Sequence, residues 1–311
     1  MPTRSEVIKL LDFKYNDFSK NLWYILLIML DFFKGRKLIL ATKHKKEIVM
    51  KPILKEELGV NVFVPDDYDT DLFGTFTGER ERTGNQLEAA KKKALGALEK
   101  YGGDLVIASE GSFDGHPSIP WVISNVELVL LIDTKNDLEI RGHHRTEKTN
   151  ATGEYVSNLE EAVDFSKRIN FPSHGITVSK NKSDKKDLKK GINKKEDFEK
   201  IVEELFKKFP NEKIYLVSDL RAHLNPTRME AIGLATEDLI NNIKSLCPKC
   251  KIPGFVITDV KKGLPCKWCG SPTELPLSYV YSCLKCKFFK EKEYPENIKS
   301  TDPVQCNHCN P

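Results

Sequence analysis

The chain has 311 residues, 40% hydrophobic and 30% charged, with a formal net charge of +4. That is enough apolar material for a buried core, one large domain plus something smaller. The near-balance of charge excludes the one-signed surface of a dedicated nucleic-acid binder, so partners must be argued from local clusters. All eight cysteines follow residue 246 and none stands alone. A secreted disulfide scaffold spreads its cysteines through its core, so this arrangement points to a reducing, cytoplasmic setting.

The first apolar run, Leu22 to Leu30, is about half the roughly 20 residues that span a bilayer, and Asp31 follows it directly. Lys34-Gly35-Arg36-Lys37 comes next in place of a small-residue cleavage site. Residues 1–34 are therefore read as an N-terminal extension whose apolar segment packs on the body or on a partner, with no membrane span. Lys37 to Thr42 then reads as a strand ending in the basic loop Lys43-His44-Lys45-Lys46. The following helical stretch contains Pro52, which is expected at the first turn of a restarted helix. Gly59 ends that helix, and Val60 to Val64 reads as a second strand.

A polar loop over 65–84 carries Gly74-Thr75-Phe76-Thr77-Gly78-Glu79. Asn85 with Glu88 three residues on predicts a capped helix, lined on one face by Leu87, Ala90, Ala94, Leu98 and Tyr101. Asp104 to Ser109 reads as a strand that stops at Glu110-Gly111. Leu128–Ile132 and Leu138–Arg141 suggest a hairpin, Leu159–Arg168 a helix and Gly175–Ser179 a short strand. Residues 180–195 hold eight lysines and two aspartates and read as a solvated connection. A helix near Glu196–Phe209 and a strand Lys213–Ser218 follow. Asn225 as cap and Pro226 as first residue then open a long helix to about Leu246. This alternation predicts an α/β body over residues 35–245 with a mixed sheet flanked by helices, and a small zinc-ribbon module over 246–311.

In that module the cysteines form four Cys-x-x-Cys pairs: Cys247/Cys250, Cys266/Cys269, Cys283/Cys286 and Cys306/Cys309. A tight Cys-x-x-Cys turn lets two thiolates approach one ion, and four make a tetrahedral site, so two structural zinc ions are expected. Fifteen residues separate Cys250 from Cys266 and nineteen separate Cys286 from Cys306, ordinary zinc-ribbon spacings that favour sequential pairing. An interleaved cross-brace uses the same ligands. Trp268, Phe288 and Phe289 offer stacking faces if the module grips nucleic acid.

Three expected strand ends carry polar clusters: Thr42–Lys46, Ser109–Ser112 and Asp219–Arg228. Ligands of open α/β sheets bind where strands finish, which groups these clusters into one candidate site. Lys43, Lys45, Lys46, Arg221, His223 and Arg228 suit phosphate oxygens, and Glu79 with Glu110 suits a magnesium ion. The structural alternative is that Arg221 and Arg228 pair with carboxylates such as Asp219 and brace the turn. His143 and His144 have no carboxylate or cysteine at ligand spacing, His116 and His174 each lie near a proline in expected loops, and all four are read as surface or structural residues.

From Gly35 through Phe113 the chain resembles the inosine/xanthosine triphosphate pyrophosphatase superfamily. The features are a first strand with a lysine-bearing loop, Gly78-Glu79 before an alanine- and lysine-rich helix, and Glu110 at the end of the next strand. The resemblance implies an inosine triphosphatase-like fold and divalent-metal chemistry at Glu79 and Glu110. It also implies nucleotide contact by the Arg221–Arg228 stretch, and hence a magnesium-dependent hydrolase of a nucleoside triphosphate or related phosphate ester. The match departs at Thr42-Lys43-His44, where Thr-Gly-Asn is usual, at Glu110, where aspartate is usual, and in the stretched late motif. Residues 35–311 also resemble an uncharacterised bacterial family that joins such a body to a cysteine-paired tail. Its motifs match Gly74–Glu79, Ala108–Phe113, Arg221–Arg228 and Cys306-x-x-Cys309-Asn310-Pro311. The contrasting reading is a non-catalytic zinc-ribbon protein that binds nucleic acid. Oligomeric state is left open.

Overall fold

The computed structural model describes residues 32–68, 85–116, 119–183 and 186–311; the Leu22–Leu30 run and Glu79 lie outside them. Strand β1 (Lys37–Ala41) sends Leu38 and Leu40 to one face and Ile39 and Ala41 to the other. Apolar residues on both faces of a strand require cover on both sides. Parallel neighbours β2 (Asn61–Phe63) and β3 (Leu105–His116) flank it. Antiparallel β4 (Ile119–Asp133) and β5 (Leu138–Thr146) extend the mixed sheet in the order β2-β1-β3-β4-β5.

Helices α1 (Glu47–Leu58) and α5 (Pro226–Lys244) bury Met50, Leu54, Ile232, Ala235 and Leu239 against Leu38, Leu40, Leu105, Ile107, Val129 and Leu131. Helix α2 (Gln86–Tyr101) covers the opposite face with the small residues Ala90, Ala94 and Ala97 over Ile39, Val106, Ala108 and Leu130. The expected caps hold: Asn85 and Glu88 form a capping box, and Asn225 accepts from the Arg228 amide ahead of Pro226. Phe33 is fully buried in the core on the α1 and α5 side.

The second sheet is antiparallel throughout. It comprises β6 (Gly153–Val156), β7 (Ile176–Ser179), β8 (Lys189–Ile192) and β9 (Ile214–Ser218) in the order β6-β9-β7-β8. Helices α3 (Leu159–Arg168) and α4 (Lys195–Lys208) bury Phe165, Phe198 and Val202 on it. The third sheet, β10 (Val256–Lys262), β11 (Pro276–Ser282) and β12 (Phe289–Glu293), is an antiparallel meander.

Three local expectations are corrected. Helix α1 runs unbroken with Pro52 in its interior. The hydrogen bond lost is the one to the carbonyl of Ile48, a residue 61% exposed, and burial of Met50, Leu54 and Leu58 offsets a cost of about 3 kcal/mol. Strand β3 does not stop at Glu110 but pairs with β4 as far as His116, because β4 supplies partners beyond the apolar run. The lysine-rich segment contains β8, whose Ile192 is buried and pairs with Ile176.

One close approach sets the position of α5. A Cβ on Gly142 of β5 would fall far inside contact distance of the Ala235 carbonyl and of the Leu239 backbone, neither of which can rotate away. Gly142→Ala is therefore expected to cost at least about 1–3 kcal/mol, measured by denaturant titration, with α5 displaced from the sheet. An unchanged midpoint would show that the helix is not seated there.

Candidate functional site

The eight cysteines form two groups, Cys247/Cys250/Cys283/Cys286 and Cys266/Cys269/Cys306/Cys309, and within each group the four sulfurs lie within 4.8 Å of one another. The pairing is interleaved, which corrects the sequential choice. Antiparallel β10 and β11 put Val256 opposite Ser282, so the pair preceding β10 and the pair following β11 share one end of the meander. The pair between β10 and β11 lies at the other end, and β12 returns the chain to it. There the Lys267 amide donates to the Thr301 carbonyl (3.0 Å) and the Thr301 amide to that of Pro265 (2.9 Å).

All four pairs make the same turn. The amides of Lys251, Gly270, Lys287 and Asn310 donate to the carbonyls of Cys247, Cys266, Cys283 and Cys306 at 2.8–3.0 Å. Sulfur separations across each group are 3.6 Å for Cys247–Cys286, Cys250–Cys283 and Cys269–Cys306, and 3.9 Å for Cys266–Cys309. A metal–sulfur bond of about 2.3 Å gives a tetrahedron with edges of about 3.8 Å, whereas a disulfide needs about 2.05 Å. Each group therefore fits one tetrahedral ion such as zinc. An iron–sulfur cluster would insert several atoms and spread the thiolates further.

The groups differ in surroundings. The first is shielded by Phe255, Tyr281 and Phe288 and joined to the body: Gly254 and Phe255 amides bond the Ser245 carbonyl, and Ile252 packs on the first core. The second includes exposed Cys269, beside Trp268 at 77% exposure. Several lysines of the module are matched by acids, Lys261 with Glu291, Lys262 with Glu274 and Lys267 with Asp302.

In the body, the structure brings the basic loop and the Arg221–Arg228 stretch together. The rings of His44 and His223 stack at 5.1 Å and 11°, at the carboxyl end of β1. His44 and Lys45 both hold left-handed backbone (φ 64° and 58°), a strained choice for non-glycine residues that turns the chain into α1. Lys45 is exposed and Lys43 half-buried, whereas Lys46 is buried with its Nζ 3.0 Å from Ser109 Oγ. Burial first, then His44 and Arg221 beside it, hold the His223 imidazole below its ordinary value.

The remaining predicted residues among those described are ion-paired, Arg221 and Arg228 with carboxylates and Glu110 with a lysine. Arg228 is 2% exposed, its Nε 2.7 Å from Glu127 Oε1 and its Nη1 donating to the Leu220 carbonyl at 2.6 Å. A Cβ on Gly111 would overlap that guanidinium and both Glu127 oxygens, so a glycine there admits the pair against the β3 backbone. Arg221 makes Nε and Nη2 contacts of 3.0 and 2.6 Å to Asp219. Burial alone would raise the Asp219 carboxyl, but Arg221 and the Gly191 amide hold it below its ordinary value. Glu110, 4% exposed, is ion-paired with Lys93 of α2. His174 bridges Ser173 (3.0 Å) and Thr227 (2.9 Å), a structural tie to the start of α5.

Sequence reasoning missed Glu127 and Lys93. An acid inside the apolar run Val126-Glu127-Leu128-Val129 was the available signal for the first. Lys93, among the alanines of the buried α2 face, was the signal for the second.

An α/β body with a mixed five-stranded sheet, joined to a cross-braced module of two four-cysteine groups, defines the class of protein. The model of the family described as Domain of unknown function (DUF6671) matches residues 93–311, and the chain belongs to that family. The matched region starts within α2, so it includes Glu110, Glu127, Arg228 and all eight cysteines but not the Lys43–Lys46 loop. No curated protein matches the chain. Among the described residues, no helix is long and apolar enough to cross a membrane.

Proposed function

We propose that the carboxyl end of β1 binds a phosphate-bearing small molecule of the nucleotide class, that the chain hydrolyses it, and that the two four-cysteine groups hold structural zinc. The observation that carries the first part is the His44–His223 stack, which joins two basic segments from distant parts of the chain over one sheet end. Lys43, Lys45, His44 and His223 form the rim that meets the phosphate. Arg221 and Arg228, committed to Asp219 and Glu127, are positioning residues for that rim.

Magnesium fits less well than the resemblance implies. Glu110 is buried and already neutralised by Lys93, so it offers no free carboxylate as it stands, and no step is derived through that ion. The nucleic-acid reading has less support, since three lysines of the zinc module, Lys261, Lys262 and Lys267, are paired with acids.

The test is a binding and phosphate-release screen over nucleoside triphosphates with the full chain. Lys45→Ala should weaken binding by about tenfold or more, as expected for a charge-assisted contact, with the melting temperature unchanged for an exposed side chain. Absence of nucleotide binding by the wild type would end this reading.

A further inference from the structure

Five charged side chains lie around this end of the sheet, Lys46, Arg228 and Glu127 on the α1 and α5 face and Lys93 and Glu110 on the α2 face, and four of them are matched. Lys93 takes Glu110 and Arg228 takes Glu127. Lys46, 7% exposed, has no carboxylate within ion-pair distance among the described residues; its Nζ contacts Ser109 Oγ instead. Burial without a direct carboxylate partner disfavours the ammonium relative to its cost in water, more so beside Arg228 and less so for the nearby Glu127 and Glu110. Lys46 also occupies the N-cap of α1 without making a cap hydrogen bond, where Ser, Thr, Asp or Asn is preferred, and follows two left-handed residues. Helix stability is thus given up to turn this amine inward. Strain and broken local rules of that kind collect at functional sites.

We propose that Lys46 and Ser109 form a base–nucleophile pair in which the Lys46 amine accepts the Ser109 hydroxyl proton and Ser109 Oγ attacks phosphorus. The choice of phosphorus rests on the phosphate-ester reading above. The Oγ–P bond forms as the bond from phosphorus to the leaving oxygen breaks, and the proton held by Lys46 passes to that oxygen. Water, deprotonated by the same amine, then displaces Ser109 from phosphorus, and the proton returns to Oγ. A weak hydroxyl nucleophile beside a deprotonated amine is an established route to covalent catalysis. Burial, then the charge of Arg228 and more weakly that of Lys93, brings the Lys46 ammonium down to about 8 against the opposing pull of Glu127 and Glu110. The free amine is therefore a minority form at neutrality, roughly a tenth at pH 7, and predominates above about pH 8.

A small alkyl fluorophosphonate suits a hydroxyl only 4% exposed, since attack expels fluoride and leaves a stable Oγ–P adduct. With the full chain, mass spectrometry should find one adduct, on Ser109, forming at a rate that rises with pH to a midpoint near 8. Ser109→Ala should remove the adduct. Lys46→Met, which replaces an unmatched charge by an apolar chain of similar length, should slow labelling by about 100-fold or more while keeping or raising the melting temperature. No adduct on Ser109 in a folded chain, or a rate indifferent to Lys46→Met, overturns the proposal. So does inorganic pyrophosphate binding that needs Lys46 in a chain that does not label, since Lys46 is then a counter-charge only. Labelling with this profile in a chain that binds no nucleotide upholds the pair and removes only the phosphate-ester substrate.

Discussion

Arg228→Ala should lower the melting temperature by on the order of 10 °C, because it strands the Glu127 carboxylate in a place with no exposure. Removing one partner of a buried ion pair costs about 3–5 kcal/mol, and each kcal/mol is about 2–4 °C in a domain of this size. The side chains of the pair are 1% and 0% exposed, so solvent does little to screen the charge left behind. The double variant Arg228→Met, Glu127→Leu should recover much of the loss, since it leaves no unmatched charge. Thermal melts of the two single variants and the double variant read this directly. If Arg228→Ala leaves the melt unchanged and weakens nucleotide binding, the arginine is a ligand residue and the ion pair is incidental.

Protein purified without added metal should carry two zinc ions per chain, and a double substitution separates the two pairing schemes. With interleaved pairing, Cys247→Ser and Cys283→Ser damage the same group, so the double variant should retain one zinc. With sequential pairing it would damage both and retain none. The effect on folding is large, since a structural zinc site contributes an apparent 10–16 kcal/mol or so at neutral pH. Chelation should proceed in two steps. The group containing exposed Cys269 should empty first, and the group behind Phe255, Tyr281 and Phe288 later. Simultaneous loss of both ions would show that the aromatic shell does not protect the first group.

Much of the fold was legible because it rests on local rules. The Asn85–Glu88 box, the Asn225-Pro226 start and the Leu159–Arg168 helix follow from capping and periodicity within a few residues of chain. The strands β1, β7 and β9 were visible as short apolar runs. The ends of β3 and β4 were not, because a polar strand segment persists when its neighbour supplies hydrogen bonds, and that neighbour is distant in sequence or hidden in a hairpin. Pro52 misled for a related reason: its local cost is fixed, but the burial that outweighs it comes from the sheet and α5.

The candidate site divides the same way. The sequence by itself determined which side chains can do chemistry: eight thiolates in four identical turns, and basic residues on both sides of what became the mouth of the sheet. Spacing sets the geometry inside a Cys-x-x-Cys turn but says nothing of which turns meet. Only the antiparallel course of β10, β11 and β12 decided that the first pair joins the third and the second the fourth. Likewise only the packing of α5 and α2 on the two faces of one sheet decided that Arg228 meets Glu127 and Lys93 meets Glu110, leaving Lys46 with Ser109. A charge's role depends on what lies within a few ångströms of it and on how much water remains there, and both are set by contacts between residues far apart in the chain.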